Sequence, residues 1–156
     1  MKGNEKVIRK LNDLLSDELT AINQYMVHSE MCDNWQFDKL AKAIEKRAID
    51  EMKHAEKLIG RILFLEGKPT VGVLKKIAIG DDVEAQHAND RAAEAGAIKS
   101  YNDGIRLCVE VGDNGTRELM ESILKDEESH IDWLEAQQDQ IRQMGVKIYL
   151  TEQMGE

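Results

Sequence analysis

From Glu5 to about Met31, apolar side chains at Val7, Ile8, Leu11, Leu14, Leu15, Leu19, Ile22, Tyr25 and Met26 recur every three or four residues. That is the stripe of a helix face turned towards a core. After a break at Asp33-Asn34, a second stripe runs through Phe37, Leu40, Ala41, Ile44, Ala48, Ala55, Leu58, Ile62 and Leu65. The stretch from Glu66 to Val73 carries the only proline and two glycines, and helical signals resume at Asp81-Asp82, good capping residues. A connection of about 15 residues can cross the length of a bundle, so the helices it joins need not be antiparallel neighbours. A third helix runs from about Asp82 to Val111, and Gly112-Asp113-Asn114-Gly115 reads as a tight turn. The fourth runs from about Thr116 to Met144, with Met120, Ile123, Leu124, Glu127, Ile131, Leu134 and Ile141 on its inner side. Gly145 then breaks the chain before a short amphipathic segment, Val146-Lys147-Ile148-Tyr149-Leu150, too small to stand alone. Helices of about 28 residues are each roughly 40 Å long. The pattern predicts one all-α domain over residues 1–156: a four-helix bundle with a long crossover between helices 2 and 3 and a short fifth helix packed on the bundle or on another subunit.

Composition narrows the function. A net charge of −9 lacks the basic stripe that nucleic acid demands and suits cations. No apolar run approaches the length of a membrane span, and the N-terminal Lys2, Lys6, Arg9 and Lys10 are followed by no apolar signal segment, so a cytoplasmic protein without a membrane span is expected. Cys32 and Cys108 lie outside any C-x-x-C pair and read as packing thiols of a reducing compartment.

Candidate chemistry comes from a stretch that occurs twice. Asp50-Glu51-Met52-Lys53-His54-Ala55-Glu56-Lys57-Leu58 and Asp126-Glu127-Glu128-Ser129-His130-Ile131-Asp132-Trp133-Leu134 share D-E-x-x-H-x-[ED]-x-L. A further Glu stands at one and the same distance before each motif Glu: Glu18 before Glu51 and Glu94 before Glu127. Glu18 and Glu51 fall on the apolar stripes, which places carboxylates in a core. An isolated buried carboxylate costs several kcal/mol unless something neutralises it. Two divalent cations would balance four Glu with neutral His, and Glu-x-x-His puts both side chains on one helical face. This is the ligand pattern of di-metal four-helix bundles, and mixed carboxylate and imidazole donors suit iron or manganese, with zinc as a competitor. His28 and His87 have no partner at matching spacing and read as surface or packing residues.

The chain resembles the bacterioferritins. The resemblance rests on Met1-Lys2-Gly3, Ala21-Ile22-Asn23-Gln24-Tyr25, Asp50-Glu51-Met52-Lys53-His54-Ala55, Arg61-Ile62-Leu63-Phe64-Leu65-Glu66-Gly67 and the run from Asp126 to Glu135, and it spans the whole chain. It implies a 24-subunit cage built from two-fold dimers that oxidises Fe(II) with O2 or H2O2 at an intra-subunit di-iron centre and stores ferric mineral. By position, Glu18, Glu51, His54, Glu94, Glu127 and His130 would be the ligands of two Fe per subunit, with Glu51 and Glu127 bridging. Tyr25 would hydrogen-bond a ligand carboxylate and donate an electron. Met52 would ligate haem b, one per two subunits, at the two-fold axis, and a small ferredoxin-type protein would supply electrons for iron release. The second copy of the motif has Glu128 where the first has Met52, which agrees with solvent there and a partner subunit over Met52. Lys46 stands where many members carry a His that binds inner-surface iron with Asp50. An ammonium cannot ligate Fe(II), so that site is in question here.

Rival functions share only parts of this pattern. A rubrerythrin-like peroxide reductase should carry a C-x-x-C pair, which is absent. A DNA-protecting mini-ferritin would place its metal between subunits and usually carry a basic tail. A cage subunit with only structural metal or haem predicts a disrupted ligand set, whereas all six residues are present.

Overall fold

The computed structural model describes residues 1–155, and the pattern of apolar stripes becomes five helices with no strand among the described residues. They are α1 (Glu5–Asn34), α2 (Asp38–Phe64), α3 (Val83–Val111), α4 (Asn114–Met144) and α5 (Val146–Gln153). Helix α1 packs on α2 and α3 on α4, while α1 against α3 and α2 against α4 close a four-helix bundle. None of these helices is long and apolar enough to cross a membrane.

Boundaries follow the capping chemistry. Asn4 accepts from the Lys6 and Val7 amides at the start of α1, and Asp82 accepts from Ala85 N at the start of α3. The break after α1 lies later than expected: the helix continues through Asp33-Asn34, and the reversal is made at Gln36, whose φ is 64°. The turn between α3 and α4 is shorter than expected. Gly112 takes the left-handed conformation (φ 75°) that ends α3, and Asp113 already caps α4 by accepting from Thr116 N at 3.0 Å. Asn114 and Gly115 therefore belong to the first turn of α4.

Residues 65–82 form the crossover, which climbs α1 along a ladder of polar side chains four residues apart. Asn12 accepts from Thr70 N, and Ser16 donates to Val73 O. Thr20 then accepts from Lys75 N, Gln24 from Ala78 N and His28 Nε2 from Gly80 N. Because i and i+4 share a helix face, these five side chains form one stripe, roughly 24 Å long, that satisfies the backbone of a strap with no regular structure of its own.

Two apolar clusters flank the middle of the bundle. One contains Val7, Leu11, Leu14, Leu15, Leu58, Ile62, Met120 and Ile123, and the other Cys32, Leu40, Ala41, Ile44, Val83 and Tyr149. Both cysteines are buried, and burial pushes each thiol up to about 11, which leaves them inert. His28 and His87 are fully buried, so of the two readings packing holds and surface does not. His28 Nδ1 meets Asp90 Oδ1 at 2.8 Å, and Gln24 Nε2 (2.8 Å) and Arg47 Nη2 (3.0 Å) also donate to Asp90. Met26, expected on the inner stripe, is half exposed.

Helix α5 is held through Tyr149. Its hydroxyl donates to Gln137 Oε1 at 2.6 Å and lies 3.0 Å from His87 Nε2, so His87 Nε2 donates to it and His87 Nδ1 is left buried without a partner among the described residues. Burial first, and then the charge of Arg47, pushes the His87 imidazole down to about 4. Between about pH 6.5 and 4 the unfolded chain binds a proton that the folded protein refuses, so stability falls as pH falls through that window. At about 1.4 kcal/mol per pH unit the loss approaches about 3 kcal/mol. His87→Leu should flatten this acid limb in urea unfolding of the metal-free protein; an unchanged slope would exclude His87 as its source.

Candidate metal centre

Midway along the bundle, between the two apolar clusters, each long helix turns acidic groups inward. Glu18 comes from α1, Glu51 and His54 from α2, Glu94 from α3, and Glu127 and His130 from α4, none more than 8% exposed. Glu18, Glu51, His54 and Glu127 bring one donor atom each to within 4.8 Å of one another, and so do Glu51, Glu94, Glu127 and His130. Glu51 and Glu127 belong to both sets. All six residues singled out by the doubled motif thus meet in one place.

The surroundings follow the offset that relates Glu51 to Glu127, and the contacts are reciprocal, as across a two-fold axis. Tyr25 donates to Glu94 Oε1 at 2.7 Å, and Tyr101 donates to Glu18 Oε1 at 2.6 Å. His54 Nε2 bonds Asp126 Oδ2 at 2.8 Å, and His130 Nε2 bonds Asp50 Oδ2 at 3.1 Å. Each motif Asp therefore orients the His of the other copy, holding a hydrogen on Nε2 and turning Nδ1 towards the carboxylates. Sequence reasoning misses Tyr101 and the roles of the two Asp residues, although Tyr101 follows Tyr25 at the offset of the repeat, which pointed to it.

What remains at the centre is a set of seven buried atoms with no hydrogen-bond partner among the described residues: Glu18 Oε2, Glu51 Oε1, His54 Nδ1, Glu94 Oε2, both Glu127 oxygens and His130 Nδ1. The Glu127 Oε1, Glu51 Oε1 and Glu18 Oε2 atoms crowd His54 Nδ1 at 2.9, 3.4 and 3.5 Å. Acceptors that face one another need a cation, and this donor set fits two divalent ions. The electrostatics agree. Burial, then Glu18 beside Glu51 and Glu51 beside Glu127, pushes both carboxyls well above the usual range. Burial opposes charge on His54, but Glu127, Glu18 and Glu51 outweigh it and hold the imidazole far above its usual value. Metal binding would displace these protons.

Two cavities reach the centre from opposite sides. One, of about 300 Å³, is lined by Glu18, Glu51 and Glu127 and opens past α1, α3 and the crossover. The other, of about 280 Å³ between α2 and α4, is lined by Lys46, Asp50, His130 and Trp133. Lys46 and Asp50 thus share a cavity, with the Asp50 carboxylate engaged by His130. Arg47, fixed by Asp90, lies 4.5 Å above the Tyr25 ring and 5.4 Å from that of Trp133.

Met52 stands on the outer face of α2, 46% exposed, in a cleft with Ile22, Met26 and Ile49. The counterparts of Met26, Ile49 and Met52 in the second half of the repeat are Asn102, Lys125 and Glu128, all exposed. One half of the repeat presents an apolar outer face and the other a polar one.

Losing an outer carboxylate that orients a ligating His costs roughly 10–100-fold in metal affinity. Asp126→Ala should weaken one of two Co(II) equivalents by that factor and spare the other, since His130 keeps Asp50. Equal weakening of both, or none, in a spectroscopic titration would contradict the arrangement.

A model of the ferritin-like domain matches residues 8–144. The chain is 43% identical over 149 residues to the bacterioferritin of Mycolicibacterium paratuberculosis, covering 96% of this chain and 94% of the relative. It is 40% identical to the bacterioferritin of Brucella melitensis, covering 96% and 92%, and 44% identical over 137 residues to that of Rhodobacter capsulatus, covering 88% and 85%.

Proposed function

The chain belongs to the bacterioferritin family of ferritin-like proteins, and on that premise we propose that it stores iron by oxidising Fe(II) at the centre formed by its six inward-facing ligands. The observation that carries this reading is the set of seven unpartnered buried donor atoms. Glu18, held by Tyr101, and His54, held by Asp126, would take one Fe(II); Glu94, held by Tyr25, and His130, held by Asp50, would take the other. Glu51 and Glu127, common to both sets, would bridge them. Two Fe(II) together supply the two electrons that convert O2 and two protons to H2O2, or H2O2 and two protons to water. Tyr25 would orient Glu94 through its hydrogen bond to that carboxylate. The Fe(III) product would be stored inside a 24-subunit cage of two-fold dimers.

Glu51→Ala or Glu127→Ala should slow oxidation of the first two Fe(II) per chain by more than the roughly 100-fold that losing an outer-shell partner costs, because each serves both metals. Stopped-flow absorbance after an O2 or H2O2 pulse decides it, and an unchanged rate in either variant would overturn the assignment.

In the cleft with Ile22, Met26 and Ile49, Met52 of each of two copies of the chain would hold one haem b through its thioether. The cleft's apolar lining and the polar counterpart on the other half of the repeat support a covered face there. Bound there, haem would supply one-electron chemistry, passing electrons from a small ferredoxin-type donor inward for iron release. Met52→Leu conserves volume and removes the sulfur. Loss of haem absorbance is expected, with assembly size by light scattering and Fe(II) oxidation retained; stoichiometric haem with an unchanged spectrum would sink the assignment.

A further inference from the structure

The cavity on the α1/α3 side has Lys75, an ion-paired lysine, among its lining residues. Glu18, Glu51 and Glu127 line its inner part, and Asp17, Lys75 and Lys76 line it as well. Its α3 wall is made of small residues, Ala92, Ala93, Gly96 and Ala97, and a Cβ at Gly96 would meet nothing within 4 Å. Lys75 Nζ lies 2.9 Å from Asp13 Oδ1 and 2.5 Å from Asp17 Oδ1, and Asp17 precedes Glu18 in sequence. The strap holds the lysine there: Lys75 N donates to Thr20 Oγ1 at 2.8 Å, and Thr20 in turn donates to Ser16 O.

We propose that Lys75 is an entry latch: its ammonium occupies, between Asp13 and Asp17, the position that a divalent cation must pass on its way to the centre through this cavity, and so sets the rate of loading. The proposal rests on the metal-centre reading above. Three features of the ion pairs make them a latch rather than a plug. They are partly exposed, with side-chain accessibilities of 42% for Lys75, 48% for Asp13 and 23% for Asp17. Exposed pairs are weak, so thermal opening is frequent. A dication attracts two carboxylates more strongly than an ammonium does, and it meets them once Lys75 swings aside on its four-carbon stem. The backbone stays pinned while the side chain moves, so opening requires no rearrangement of the bundle.

The test separates rate from capacity. Metal-free, assembled protein is mixed with Co(II), which is not oxidised by air, and its ligand-field absorbance is followed by stopped flow and then to equilibrium. Lys75→Gln keeps most of the side-chain length and removes the charge. It should load about three- to ten-fold faster at low ionic strength, an advantage that shrinks with added salt, with two Co(II) per chain at the end point in both proteins. Lys75→Arg, which keeps the charge and can grip both carboxylates, should load no faster than the unmodified protein. Full end points with equal or slower loading in Lys75→Gln, or faster loading in Lys75→Arg, would overturn the latch alone. An unmodified protein that failed to take up two Co(II) would overturn the centre, and the latch with it.

Discussion

Four carboxylates facing one another in the dry middle of a helical bundle are the constraint around which the rest of this molecule is arranged. Each of Glu18, Glu51, Glu94 and Glu127 is at most 2% exposed, and no Lys or Arg among the described residues is hydrogen-bonded to any of them. Desolvation first, and then the neighbouring carboxylates, push Glu51 and Glu127 towards their protonated forms. A core of this kind is worse than an apolar one of the same volume unless a cation completes it. The flanking clusters of Leu, Ile and Met therefore have to supply the stability that the centre withholds. Tyr25 and Tyr101 restrain Glu94 and Glu18, and Asp126 and Asp50 restrain His54 and His130.

The two halves of the chain treat this constraint differently from everything else. Across the centre, pairs related by the repeat retain their chemistry: Glu18 and Glu94, Tyr25 and Tyr101, Asp50 and Asp126, Glu51 and Glu127, His54 and His130. One step further out the symmetry ends. Arg47 and Asp90, joined in the buried polar network, correspond to Ile123 and Leu14, which are plain core residues in the other half. The ligands must match because they face each other over the same charge. Their neighbours only have to fill their own ends of the bundle, and one end also has to receive the crossover through His28 and fix α5 through His87 and Tyr149.

The helices and the centre are legible in the sequence for a common reason: both are written in local spacing. A 3.6-residue stripe shows each helix, and Glu-x-x-His, repeated with a Glu at constant distance upstream, shows which side chains share a face. Contacts that join distant segments are not legible from local patterns. The strap's partners Asn12, Ser16, Thr20, Gln24 and His28 do form a period-four stripe, but polar residues at that spacing look the same whether they meet water or a crossover. Met26 departs from expectation for a related reason. Apolar side chains count towards the inner stripe whichever surface covers them, and α1 carries apolar residues on two faces.

That second apolar face is best understood through the repeat. Met26, Ile49 and Met52 on one half correspond to Asn102, Lys125 and Glu128 on the other, so related helix surfaces meet different surroundings. A scattered exposed Met needs no explanation, but a cleft that groups Ile22, Met26, Ile49 and Met52 on adjacent helices does. If both faces met water, no constraint would keep one of them apolar. The contrast therefore argues that the α1/α2 face is covered in the working protein while the α3/α4 face stays solvated. The centre is then reached by cavities at neither of those faces: one opens past α1, α3 and the crossover and the other between α2 and α4. Covering the apolar face would leave both approaches to the buried carboxylates open, because the cavities and the apolar cleft lie on separate surfaces of the same four helices.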